Sequence, residues 1–103
     1  MASPQIENGH TRIANELLEA IVYKICNATW IKVMLYLIRI TYGFQRKEVE
    51  TNYQAIATKT GFTKETIKDA IMVMSDRKML NFRVVSRERF VVSVNKDYEL
   101  WKI

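Results

Sequence analysis

The sequence predicts a mainly α-helical fold that ends in a β-hairpin, an α+β architecture. Two observations predict it. Apolar residues recur at spacings of three and four in several segments between residues 12 and 78, as in amphipathic helices. After residue 80 the chain changes to two short runs rich in β-branched and aromatic residues, as in strands. The length of 103 residues provides one modest core. We therefore expect a single domain at 12–103, preceded by an arm at 1–11.

The first helix is predicted to run from Arg12 to Lys24, with Thr11 as its N-cap. The arm before it contains proline, asparagine and glycine, which break regular structure. Cys26 follows the helix at the end of an apolar run, so we expect it to be a small core residue.

The second helix is predicted from Trp30 to about Tyr42, with Gly43 as its C-terminal stop. It is apolar almost all round, which is typical of a helix in the centre of a small domain. The aromatic residues Trp30, Tyr36 and Phe44 are therefore expected in the core. A polar connector follows at 44–50, with a short strand near Val49.

Residues 52–78 predict two short helices joined by a tight turn. Asn52 is the expected N-cap of a helix over Tyr53–Lys59, and Gly61 can adopt the positive φ that such a turn requires. Thr63 is the expected N-cap of the next helix, which ends near Lys78. Its predicted inner stripe is Ile67, Ala70, Ile71 and Met74.

Residues 81–95 predict a hairpin, with strands at 81–86 and 89–94 and a loop at Ser86–Glu88. The tail from Lys96 to Ile103 contains Trp101 and is expected to fold back onto the domain. Helix, helix, short strand, helix, turn, helix and hairpin is the order of a winged helix-turn-helix. The sequence therefore predicts binding to double-stranded DNA.

The predicted contacts come from the helix after the turn and from the hairpin. A major groove admits one α-helix, whose N-terminal residues approach the base edges and whose free N–H groups attract phosphate. Lys64 and Lys68 can reach phosphate or guanine, and Glu65 can accept a hydrogen bond from cytosine. The predicted DNA-binding residues are Thr63, Lys64, Glu65, Thr66 and Lys68 on the helix, and Arg83, Arg87 and Arg89 on the hairpin.

Charge and composition agree with this reading. The net charge of +5 favours a polyanionic partner. The single cysteine and single histidine cannot form a zinc cluster, and the lone cysteine suits a reducing cytosol. We expect no metal and no cofactor. The chain contains no carboxylate dyad, nucleophile–base pair or phosphate loop, and no apolar run long enough for a membrane span, so we expect neither an enzyme nor a membrane protein.

Three segments resemble the bacteriophage replication protein O family. Glu7–Ala20 is similar to the family's opening E-N-G-Y/F-T-R-I-A-N-E-L-L-E-A, with His10 where an aromatic is common. Leu37–Phe44 resembles its I-x-R-x-T-Y-G-W/F stretch, and Ile56–Thr63 resembles its L-A-x-x-T-G-L-S turn.

The resemblance implies a replication initiator that acts in the bacterial host cytoplasm. Its N-terminal domain would bind repeated origin sites, usually as a homodimer. A region outside these residues would recruit the host replicative helicase or its loader. The helix that begins at Thr63 is less basic than the family's, so no target sequence carries over. Two alternatives stay open: a winged-helix transcriptional regulator, and a protein-interaction module without DNA binding, which Glu65 and Asp69 make conceivable.

Overall fold

A computed structural model describes residues 1–103 as four helices and a three-stranded antiparallel sheet. The helices are α1 (Asn15–Lys24), α2 (Ala28–Thr41), α3 (Tyr53–Thr60) and α4 (Lys64–Asp76). The strands are β1 (Val49–Thr51), β2 (Leu80–Val84) and β3 (Phe90–Val94). Short 3-10 turns lie at Ile6–Asn8, Tyr42–Phe44 and Tyr98–Leu100. The predicted α+β class and the short strand near Val49 are confirmed. None of the four helices combines the length and the hydropathy that a membrane span requires.

The sheet has the strand order β1-β3-β2, so the hairpin strand β3 lies in the middle. Val92 pairs with Val49 on one side and with Phe82 on the other. Because side chains alternate along a strand, Phe90, Val92 and Val94 share the face that packs on the helices. Glu50 and Arg83 both pair with Val91, and these three residues occupy the opposite, outer face.

The core lies between this sheet and the helices, with α2 at its centre. Val33, Met34 and Leu37 of α2 are fully buried, as an all-round apolar helix should be. The predicted inner stripe of α4 (Ile67, Ala70, Ile71 and Met74) is confirmed as buried. The tail does fold back: the Trp101 side chain is buried, and its Nε1–H donates to the Asn95 carbonyl at 2.9 Å.

The N-caps predicted for the third and fourth helices are confirmed. The Asn52 side chain accepts a hydrogen bond from the Ala55 N–H at 2.8 Å, and Thr63 accepts one from the Thr66 N–H at 3.2 Å. Gly61 ends α3 with φ of 82°, the left-handed conformation that glycine adopts without steric cost. The left-handed Gly61 and the Thr63 cap thus fix the two ends of the turn between α3 and α4.

Two helix-end predictions are wrong. Thr11 does not cap α1, because the helix begins at Asn15 and its N-cap, Ala14, makes no side-chain bond. Gly43 does not end α2: the helix ends at Thr41 and passes into a 3-10 turn, after which Gln45 adopts the left-handed conformation at φ of 57°. The buried Thr41 hydroxyl donates back to the Leu37 carbonyl at 2.7 Å, a bond that competes with helix continuation.

Two burial predictions are also wrong. Cys26 is exposed, because Ile25 takes the buried position at the end of α1. Phe44 is 55% exposed, since the 3-10 turn carries it beyond the end of α2, whereas Trp30 and Tyr36 pack half-buried against the core as expected. The hairpin loop is longer than predicted, spanning 85–89, so Arg89 lies in the loop rather than in a strand.

Candidate nucleic-acid interface

The N-terminus of α4 is fixed by two threonines. Thr63 accepts from the Thr66 N–H, and its own hydroxyl donates to the Thr66 hydroxyl at 2.9 Å. The Thr63 side chain is therefore occupied in capping, and Thr66 is half-buried. Lys64, Glu65 and Lys68 remain at the surface of the first two turns, with Lys64 the most covered of the three.

Losing this cap should measurably destabilise the protein. We expect Thr63→Ala to lower the free energy of unfolding by about 1 kcal/mol, because the first turn of α4 loses its hydrogen-bond acceptor. Thr63→Ser should restore most of that loss in urea titrations. The control is Thr58→Ala at an exposed position of α3. It removes only a hydroxyl that donates back to the Gln54 carbonyl of the same helix, so it should be neutral or slightly stabilising because alanine is the better helix former. Equal losses for the two alanine variants would contradict a special role for the cap.

The hairpin loop lies beside this helix end. Lys64 Nζ is 3.4 Å from Glu88 Oε2 at the loop tip, a contact between residues 24 positions apart. Within the loop the Val85 and Ser86 N–H groups donate to the Arg89 carbonyl, which closes a compact turn. Of the predicted residues, the fold thus brings together the start of α4 and the loop that carries Arg87 and Arg89.

Most predicted cations are paired with carboxylates. Arg89 Nε donates to Glu50 Oε2 at 2.8 Å, and Arg83 Nη2 lies 3.8 Å from Glu48 Oε1 on the outer face of the sheet. All three ion pairs of the structure fall in this region, and all of their side chains are partly exposed. Lys68 and Arg87 are the predicted cations without such a partner.

The candidate interface is consequently close to neutral. The predicted cations are Lys64, Lys68, Arg83, Arg87 and Arg89, and the carboxylates beside them are Glu48, Glu50, Glu65, Asp69 and Glu88. Since the five charges of each sign cancel, the net +5 of the chain is carried by other residues. Sequence reasoning missed Glu48 and Glu50, because they reach the arginines only through the β1–β3–β2 pairing.

Sequence reasoning also missed two lysines near the turn between α3 and α4. Lys32 of α2 places its Nζ 4.7 Å from the centre of the Phe62 ring, beside Gly61. Lys59 lies exposed in the last turn of α3. Neither lysine has a carboxylate partner, so both add unpaired positive charge near α4. The basic last turn of α3 was visible in the sequence, but the placement of Lys32 depends on tertiary packing.

Metal-ligating residues and tyrosines are the other groups that could form a site. No group of three or more histidine, cysteine, aspartate or glutamate residues is placed to hold a metal ion. Burial raises the pKa of Tyr36, Tyr42 and Tyr53 above the ordinary value of 10.0, so these phenols are neutral at physiological pH. None of them belongs to the predicted DNA-binding set.

The chain is similar to bacteriophage replication proteins. The chain belongs to the bacteriophage replication protein O family, whose family model matches residues 3–101, and the resemblance in the three segments is thereby confirmed. One relative is Replication protein 15 of Enterobacteria phage phi80, which is 27% identical over 97 residues. That match covers 93% of this chain and 32% of the relative, so the chain spans about a third of the relative's length.

Proposed function

We propose that this chain is a winged helix-turn-helix domain that binds double-stranded DNA sequence-specifically at a phage replication origin. It would act as the DNA-binding domain of a replication initiator. The observation that supports this most is the 3.4 Å contact between Lys64 and Glu88. A hairpin loop thus lies beside the N-terminus of the second helix of a helix–turn–helix unit, so helix and loop can contact one duplex together.

In this arrangement α4 enters the major groove with its N-terminal turn foremost. Lys68, Lys64 and Glu65 then face the base edges, and the unpaired Arg87 at the loop tip meets phosphate or the adjacent minor groove. Lys32 and Lys59 lie where the helix preceding the groove-binding helix crosses the backbone, and they contact phosphates. Thr63 and Thr66 contribute by fixing the helix start rather than by reading bases.

The proposed role is binding, without catalysis, cofactor or metal, in the bacterial host cytoplasm. A homodimer suits repeated half-sites, since paired sites favour a two-fold symmetric protein. Contact with the host replicative helicase or its loader is assigned to the part of the longer relatives that this chain does not match. A transcriptional regulator with the same fold differs in its target, which binding to the phage's own origin DNA would test.

The near-neutral interface favours one alternative, a winged-helix module that binds protein instead of DNA. Duplex binding depends strongly on phosphate neutralisation, and Glu48, Glu50 and Glu88 oppose it. A fluorescence anisotropy titration against duplex from the phage's origin separates the two. Saturable binding whose affinity falls steeply with salt supports the DNA proposal. Absence of binding at low salt would overturn it in favour of the protein module.

Two substitutions distinguish base reading from phosphate contact. We expect Arg87→Gln to weaken binding to all duplexes by the same factor, because an unpaired loop-tip arginine contacts phosphate. The slope of log affinity against log salt should become shallower by about 1. Lys64→Gln should instead reduce the preference for origin DNA over a scrambled duplex by about tenfold. The assignment of α4 as the groove-binding helix is wrong if the origin preference of Lys64→Gln equals that of the wild type.

A further inference from the structure

An exposed aromatic ring contacted by two arginines lies just beyond the end of α2. The guanidinium carbon of Arg39 is 4.9 Å from the centre of the Phe44 ring, and that of Arg46 is 5.2 Å from it. More than half of Phe44 is exposed, so the ring is not explained by core packing. We call Arg39, Phe44 and Arg46 the Phe44 cluster.

Gly43 allows the cluster to form. A Cβ at this position would lie 2.5 Å from Arg39 Nη1 and 3.1 Å from Thr11 Oγ1, so the Arg39 side chain crosses the turn where any other residue would place an atom. The backbone of Gly43 does not need positive φ. Its lack of a side chain therefore serves the placement of Arg39 rather than the shape of the turn.

The guanidinium groups of Arg39 and Arg46 have no carboxylate partner and donate no hydrogen bond within the chain. Neither belongs to any of the three ion pairs, which lie around the hairpin and the start of α4. Among the arginine side chains, only Arg77 and Arg89 donate hydrogen bonds within the chain. The Phe44 cluster thus presents unpaired guanidinium groups, whereas Arg83 and Arg89 of the candidate duplex interface are neutralised.

The cluster adjoins a cleft at the far end of the sheet. Arg46 and Lys47 line this cleft of about 1000 Å³ together with Asn95 and Lys96, which follow the Val94 end of β3. Glu16 and Asp97 also line it, so its three cations outnumber its carboxylates by one. The hairpin loop leaves the Phe90 end of the same strand, about 13 Å away along β3. The Phe44 cluster and the cleft therefore share no residue with the predicted duplex interface on α4 and the hairpin.

We propose that the Phe44 cluster and the adjoining cleft bind single-stranded DNA, at a site separate from the duplex interface. Proteins that bind single strands combine a basic groove for the phosphates with exposed aromatic or guanidinium planes on which bases stack. In a duplex the base faces are stacked on one another, so an exposed protein ring cannot stack on them. This site goes beyond the proposed function, because it does not depend on α4 or the hairpin.

The test is an anisotropy titration of the full chain with a labelled oligothymidylate of about 15 nucleotides, a length that spans one such site. We expect Arg39→Gln combined with Arg46→Gln to weaken single-strand binding about tenfold, and Phe44→Leu about fivefold. Gly43→Ala displaces the flexible end of Arg39 and crowds the Thr11 hydroxyl, so we expect a loss of about threefold in a folded protein. Binding of origin duplex should not change in any of these variants.

The matched control is Arg77→Gln, because Arg77 also contacts an aromatic ring, with its guanidinium carbon 5.2 Å from the Trp30 ring centre. It should leave single-strand affinity within about twofold of wild type. Equal losses for Arg77→Gln and for Arg39→Gln alone, which remove the same charge, would reduce the effect to net charge and overturn the proposal. The proposal is also overturned if the double variant keeps its single-strand affinity while its melting temperature falls. It is overturned as well if the double variant loses duplex affinity by the same factor as single-strand affinity. Failure of wild-type duplex binding alone would count only against the proposed function.

Discussion

Replacing Phe90 with alanine should destabilise this protein more than any single change at its surface. Phe90 is 2% exposed and begins β3, the central strand. Its ring centre lies 4.7 Å from that of Tyr53 and 5.0 Å from that of Phe82. Since Tyr53 starts α3 and Phe82 lies in β2, one ring joins the helix–turn–helix unit to the hairpin.

We expect Phe90→Ala to lower the free energy of unfolding by about 3–5 kcal/mol, from lost burial and from the cavity left behind. Domains of this size have about 5–15 kcal/mol in total, so the variant should unfold at a much lower urea concentration. Duplex binding should weaken with it at temperatures where the variant still folds, because the hairpin loop loses its support beside α4.

Phe44→Ala is the matched control, since it removes the same side chain from an exposed position. Phe44→Ala should lower the free energy of unfolding by about 1 kcal/mol or less, because it removes only the contacts with the two arginines. If urea titrations give the two alanine variants similar midpoints, then Phe90 does not form the junction between the helices and the hairpin.

Local signals in the sequence predicted the elements around the candidate interface well. Asn52, Gly61 and Thr63 act within three or four residues of themselves, by accepting a backbone N–H or by tolerating positive φ. The inner stripe of α4 follows from helical periodicity, which is also local. Residue type alone did not locate every helix end: Thr11 and Gly43 are a typical N-cap and a typical C-terminal stop, but neither has that role here.

Contacts between distant segments could not be predicted in the same way. Glu50 and Arg89 are 39 residues apart and meet only because β1 pairs with β3. Lys32 of α2 likewise reaches the Phe62 ring only because α2 packs beside the turn between α3 and α4. Charge counted along the sequence therefore suggested a basic hairpin, whereas the folded chain pairs Arg83 and Arg89 with carboxylates and leaves only Arg87 of the hairpin arginines unpaired.

The paired carboxylates lead to the second large effect, an increase in duplex affinity on removing negative charge. Glu50→Gln with Glu88→Gln should free Arg89 and Lys64 from their ion pairs while keeping side-chain size. Exposed ion pairs contribute about 0–1 kcal/mol to stability, so the double variant should still fold. Each freed cation that meets a phosphate steepens the slope of log affinity against log salt by about 0.9.

We therefore expect the double variant to bind duplex DNA at least about tenfold more tightly at about 0.1 M salt, with a steeper salt dependence, because the freed Arg89 can contact phosphate. Anisotropy titrations at several salt concentrations measure both quantities. Glu19→Gln with Glu99→Gln makes the same change of charge at exposed positions outside the interface and should have little effect. An unchanged salt slope in the Glu50 and Glu88 variant would mean that the duplex does not approach the hairpin. If the expected gain is found, the carboxylates limit general DNA affinity, which leaves the base contacts of α4 to decide where the protein binds.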